Sequence, residues 1–141
     1  MNVDIDGLRY RVASLVVLAE GMSAAELREL IGLEPDRSWD LGDSIGRTAR
    51  GRRHSTGWCI DAAGVDMPPE SAIADLLDRI SIVEGRIRAA AADPRVRSVA
   101  LWVWPGEHDS AVDLVPACLM KVARLDASLI IDMYDREERE E

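Results

Sequence analysis

The chain has 141 residues, a formal net charge of −9, and 48% hydrophobic and 30% charged side chains. That length suits one domain, which would bury roughly two-thirds of the surface its unfolded chain exposes. No apolar run approaches the ~20 residues of a membrane span, the acidic N-terminus lacks the basic flank of a signal peptide, and an acidic surface is repelled by phosphate backbones. The expectation is a cytosolic protein with neither a membrane nor a nucleic-acid partner. Cys59 and Cys118, the two cysteines, are expected to be buried thiols in a reducing compartment, and they are too few for a Cys-rich zinc site.

Arg9 precedes residues 10–18, where Tyr10 and Val12 flank Arg11 before the run becomes apolar. This pattern predicts a strand that enters from solvent and runs into the middle of a sheet. Ser23-Ala24-Ala25-Glu26 is a capping-box pattern, in which the hydroxyl and the carboxylate each satisfy an orphan backbone N–H. It opens a short helix with Leu27, Leu30 and Ile31 on one face, stopped by Gly32 and Pro35. Residues 38–41 are read as a short strand carrying Trp39, and 56–62 as the next strand, with Trp58 and Ile60 on one face. These two form a hairpin whose loop, 44–55, holds Arg47, Arg50, Arg52, Arg53 and His54.

Pro68-Pro69-Glu70 opens a long helix, since proline is tolerated where the first N–H has no partner. Ile73, Leu76, Leu77, Ile80, Val83 and Ile87 make one continuous stripe, and Asp93-Pro94 ends it. Residues 98–105, Ser-Val-Ala-Leu-Trp-Val-Trp-Pro, form a strand with Val99, Leu101 and Val103 on one face and Ala100, Trp102 and Trp104 on the other. Residues 113–126 are read as a helix with Val115, Cys118, Leu119, Val122 and Ala123 at core spacing. Residues 128–134 are read as a last strand, and 135–141 as a charged, disordered tail.

The resulting order is β, α, β, β, α, β, α, β. It predicts an α+β fold in one domain over residues 1–134: a mainly antiparallel sheet with helices on one face, built as a ferredoxin-like β-α-β-β-α-β core plus an appended α-β unit. The strand order within the sheet is not readable.

Four stretches together resemble a known family. They are Tyr10-Arg11-Val12, Leu30 to Pro35 followed by Trp39 and Gly42, Gly57-Trp58, and Leu125 to Leu129 running on to Asp132-Met133-Tyr134. In that order and spacing they are similar to the bacterial family catalogued as domain of unknown function 4279, over roughly residues 10–134. The resemblance implies a single domain and carries no activity, cofactor or catalytic residue.

Three groups are candidates for function. Glu107-His108-Asp109 follows the 98–105 strand and has the residue types of a general base, with Cys118 or Cys59 as conceivable nucleophile; the alternative is a solvated loop. The arginine cluster, Arg50, Arg52 and Arg53 above all, suits an acidic partner, although a loop of this kind is ordinarily just solvated. Trp102 and Trp104, with Trp39 and Trp58, are the most suggestive set. If they gather on the sheet face away from the helices they favour an interface or an apolar groove; otherwise each is core. Zinc-binding His spacing, Cys-x-x-Cys, Gly-x-Ser-x-Gly and phosphate-binding glycine patterns are absent from the sequence.

The leading expectation is therefore a non-enzymatic domain that binds a protein partner or itself, in the manner of an immunity-type protein or an adaptor. It has no catalytic residue, metal or cofactor, and its binding residues are Trp102, Trp104, Trp39, Trp58, Arg50, Arg52 and Arg53. The alternatives are a small-molecule-binding or cryptic enzymatic domain on the tryptophan face, and a structural homodimer.

Overall fold

The computed structural model describes residues 12–45, 51–62, 67–105 and 111–132. Within them lie five strands, β1 (Ala13–Ala19), β2 (Arg37–Trp39), β3 (Thr56–Asp61), β4 (Val96–Val103) and β5 (Ser128–Ile131), and four α-helices, α1 (Ala24–Ile31), α2 (Pro69–Arg79), α3 (Glu84–Ala92) and α4 (Pro116–Arg124). The strands form one mixed sheet in the order β2-β3-β1-β4-β5. Three pairings are antiparallel, and β4 with β5 is parallel. The fold is α+β, with a single apolar core between the sheet and the helices. The middle strand is β1, as its apolar run predicts.

Local signals account for the elements. The Ser23–Glu26 capping box is formed, and Gly32 closes α1 in the left-handed region at φ 78°, where a Cβ is disfavoured. The long helix expected over 68–92 is instead two. A 3-10 turn, Ser81–Val83, separates α2 from α3, and the Ser81 hydroxyl donates to the Asp78 carbonyl at 2.8 Å. The break falls in Ile80-Ser81-Ile82-Val83, a run of low helix propensity. Even so, the stripe Ile73, Leu76, Leu77, Ile80, Val83 and Ile87 is buried throughout, because the turn keeps both helices on the same side.

Register assigns the two faces. Leu15 lies opposite Ile60 and Leu101, and Val17 opposite Trp58 and Val99. These residues join Leu27, Ile31, Ile73, Leu76 and Ile87 in the core. The helix at 116–124 departs from expectation: of its stripe only Val122 is fully buried, Cys118 is half-buried, and Val115, Leu119 and Ala123 are exposed. The reason is that α4 packs at the sheet margin, over the four-residue edge strand β5.

Candidate functional site

Three rows cross the sheet face turned away from the helices. One runs Asp61, Ser14, Trp102, Ile130; the next runs Arg37, Cys59, Val16, Ala100, Ser128; the third runs Trp39, Gly57, Leu18, Ser98. The face is polar at the β3 side and aromatic at the β4 side, and Ser14 stands between.

The polar part is a hydrogen-bonded network. Ser14 and Asp61 are both buried, and the Ser14 hydroxyl donates a hydrogen bond to an Asp61 carboxylate oxygen. Arg37 clamps the same carboxylate with two bonds, Nε to Oδ2 at 3.1 Å and Nη2 to Oδ1 at 3.0 Å, and its Nη2 also donates to the Cys59 Sγ at 3.0 Å. Burial works to lower the Arg37 guanidinium pKa, but its hydrogen bond to Asp61 and the field of Cys59 and Asp61 outweigh this and raise it. Burial also pushes the Cys59 thiol up to about 12; the Arg37 charge opposes that shift, and Asp61 adds to it. A second bidentate pair flanks the first: Arg79 donates to both oxygens of Asp36 at 2.8 Å. Asp36 Oδ2 in turn accepts from the Asp61 backbone N–H at 2.7 Å. The pair thereby pins β3 to the lead-in of β2 and to the end of α2.

The chemistry open to this cluster is limited. At neutral pH Cys59 is a protonated, buried thiol and a poor nucleophile, since the thiolate is the reactive form. Asp61 accepts from Ser14 and Arg37 at once. The cluster has the geometry of a buried ion pair that fixes strand register.

The aromatic part is also ordered. The Trp102 and Trp104 rings stack with centroids 5.8 Å apart and planes 12° from parallel. Trp104 is not the exposed indole that strand alternation suggests. It is 4% exposed; its backbone N–H bonds Val12 O at 2.7 Å and its indole N–H donates to Asp132 at 3.3 Å. Trp102 is half-buried and rests on it. Trp39 lies in a different row, three strands away, or about 14 Å across the sheet at the usual strand spacing. It packs on Gly57, where a Cβ would come within 2.1 Å of its ring, and the Arg53 guanidinium sits 4.0 Å from its ring centroid. Trp58 is on the opposite face, fully buried in the core, with its indole N–H on the Leu33 carbonyl at 2.9 Å. The four indoles therefore occupy three separate places.

The arginine hairpin continues beyond β2 and β3. Ser44 and Arg52 form a bridge, the Arg52 guanidinium reaches the Ser44 hydroxyl at 2.8 Å, and Arg52 is exposed. Arg47, Arg50, Glu107, His108 and Asp109 lie outside the described residues, as do Tyr10, Met133, Tyr134 and the tail. Sequence reasoning passed over Ser14, Arg37 and Asp61. The available signal was parity: Cys59 and Asp61 alternate against Trp58 and Ile60, so the charged end of β3 falls on the face opposite its large apolar side chains.

The family described as Domain of unknown function (DUF4279) matches residues 9–136. The chain belongs to that family. Comparison with curated proteins and with solved structures returned no match. Among the described residues, no helix is long and apolar enough to cross a membrane.

Proposed function

We propose that this protein is a non-catalytic binding domain whose partner is another protein, with Trp102 at the contact. The observation that carries this reading is the indole stack. Trp102 is partly open to solvent and held by a buried ring that is itself tied to Asp132. A rigid indole at a surface supplies contact area at little entropic cost, which is why such residues dominate interface energetics. Arg53 stacked on Trp39, with Arg52 beside it, offers a second anchor suited to an acidic patch on a partner. The mutual hydrogen bonding of Ser14, Arg37, Cys59 and Asp61 favours binding over chemistry. The two free thiols, Cys59 and Cys118, suit a reducing, cytosolic setting, and a masking or adaptor role fits the acidic composition.

The test is co-expression with each product of the neighbouring genes, followed by size-exclusion analysis and kinetics. The expected result is one stoichiometric complex whose association slows when Arg52 and Arg53 are both replaced by alanine, with a weaker salt dependence. A turnover activity lost in Asp61→Asn or Cys59→Ser, with the fold intact, would replace this reading with an enzymatic one.

A further inference from the structure

We propose that a second copy of this chain docks edge to edge along β5, joining two five-stranded sheets about a two-fold axis and packing α4 against its symmetry mate. This contact is separate from the Trp102 surface and does not depend on the partner reading. Three observations meet at one margin of the molecule.

The first is backbone polarity. β5 ends the sheet, and among the described residues no strand pairs with its outer side. The Asp132 N–H donates to Val103 O at 2.9 Å, toward β4. Backbone groups of alternate strand residues point to opposite sides, so Ile130 and Ser128 also face β4, and Leu129 and Ile131 turn their N–H and C=O outward. Two outward residues separated by one inward residue are what a symmetric antiparallel pair needs. Leu129 of one copy exchanges both hydrogen bonds with Ile131 of the other, and Ile130 meets Ile130 at the axis. In this register like side-chain faces coincide, so both copies keep α4 on the same side of the joined sheet.

The second is a second apolar stripe on α4. Cys118, Val122 and Leu125 turn toward the core. Pro116, Leu119, Met120 and Ala123, at i, i+3, i+4 and i+7, form another face, and all four are exposed, Leu119 at 44% and Met120 at 57%. Ile131 on β5 is exposed at 40%. The remaining side of α4 carries Lys121 and Arg124, which line a cavity of about 70 Å³ with Leu77 and Asp78 of the α2 end, Ser81 of the following turn and Glu84 at the start of α3. The cationic side thus faces α2, and the bare apolar stripe faces outward past β5.

The third is charge. Near its axis a two-fold contact sets each group beside its own copy, so a chain of net charge −9 self-associates most readily where the axis meets a patch without charge. Residues 128–131, Ser-Leu-Ile-Ile, and the stripe on α4 carry none. The register sets Ser128 opposite Asp132 of the other copy, a hydroxyl against a carboxylate, and never Asp132 against Asp132. An uncharged edge strand beside an uncovered apolar helix face is a feature that proteins otherwise blunt with charge or proline.

The test is sedimentation of the full chain from about 1 to about 200 µM, the range in which interfaces of this modest size associate, together with engineered cross-linking. The wild type is expected to be a dimer in that range. Leu119→Asp should weaken the dimer at least about tenfold, as loss of a central apolar contact does. Ile131→Pro removes an N–H that points away from β4 and has no strand partner among the described residues, so it should abolish the dimer while leaving the thermal transition of the monomer in place. In a Cys118→Ala background, Ile130→Cys should form an intermolecular disulfide under mild oxidation, whereas Ser128→Cys should not, because only residue 130 meets itself at the axis. A wild type monomeric at the highest concentration overturns the proposal. So does a dimer that survives Ile131→Pro, or one that cross-links through position 128 and not through 130.

Discussion

Replacing Asp61 by alanine tests whether the polar cluster is structural. The Asp61 side chain is 4% exposed and that of Arg37 18%, so removing the carboxylate leaves a largely buried guanidinium without its bidentate acceptor. Breaking a buried pair on one side costs about 3–5 kcal/mol, a large part of the roughly 5–15 kcal/mol that holds a domain together. Removing both charges is different. Arg37→Met with Asp61→Leu takes the desolvation cost away along with the attraction, and exchanges of this kind are often neutral or better. What remains is the Ser14 hydroxyl without its acceptor, a loss of about 1 kcal/mol, which Ser14→Ala in the same background should recover. The assay is urea unfolding followed by tryptophan fluorescence, comparing midpoints at constant m. A single-mutant loss under about 1 kcal/mol, or a double mutant as unstable as Asp61→Ala, would refute the reasoning.

Three further outcomes follow from the same geometry. The Cys59 thiol keeps its proton up to about pH 12 when folded, against about 8.5 for an exposed thiol; the stability this confers is complete below the unfolded value and is lost as pH rises through that window. Urea midpoints should therefore fall more steeply above about pH 9 in the wild type than in Cys59→Ala, and equal slopes would contradict the assignment. Gly57→Ala drives a Cβ into the Trp39 ring, so it should cost about 1–3 kcal/mol and change Trp39 emission as the Arg53 stack is displaced; an unchanged spectrum and midpoint would show that the ring yields freely. Trp104→Ala should cost about 3–5 kcal/mol, as for a closed core, and Trp102→Ala clearly less; the reverse order in denaturant midpoints would overturn the account of which ring is the platform.

What could be read from the sequence was what period and capping encode. The parity of Val99, Leu101 and Val103 against Trp102, the capping box at Ser23, the stop at Gly32 and the pairing of β2 with β3 are all local patterns. The candidate site is not local. Ser14 was hidden in a run that reads as wholly apolar, Arg37 in a segment that reads as a turn, and Asp61 at the end of an apolar strand. They become one cluster only because β3 lies between β2 and β1, and strand order is a tertiary property. The tryptophans show the same limit. Alternation put Trp102 and Trp104 on one side of β4, but it could not show that Trp104 is buried and bonded to Val12 and Asp132, which are distant from it in sequence. The break between α2 and α3 left the stripe intact, so hydrophobic periodicity carried no sign of it.

The central claim, that Trp102 is the contact of a binding domain, is tested most directly by one titration: the stoichiometric partner against wild type and Trp102→Ala, at matched unfolding midpoints. Loss of a central interface indole should weaken binding at least about tenfold, mainly through faster dissociation. Equal affinity for the two proteins would contradict the claim and move the contact elsewhere on the fold.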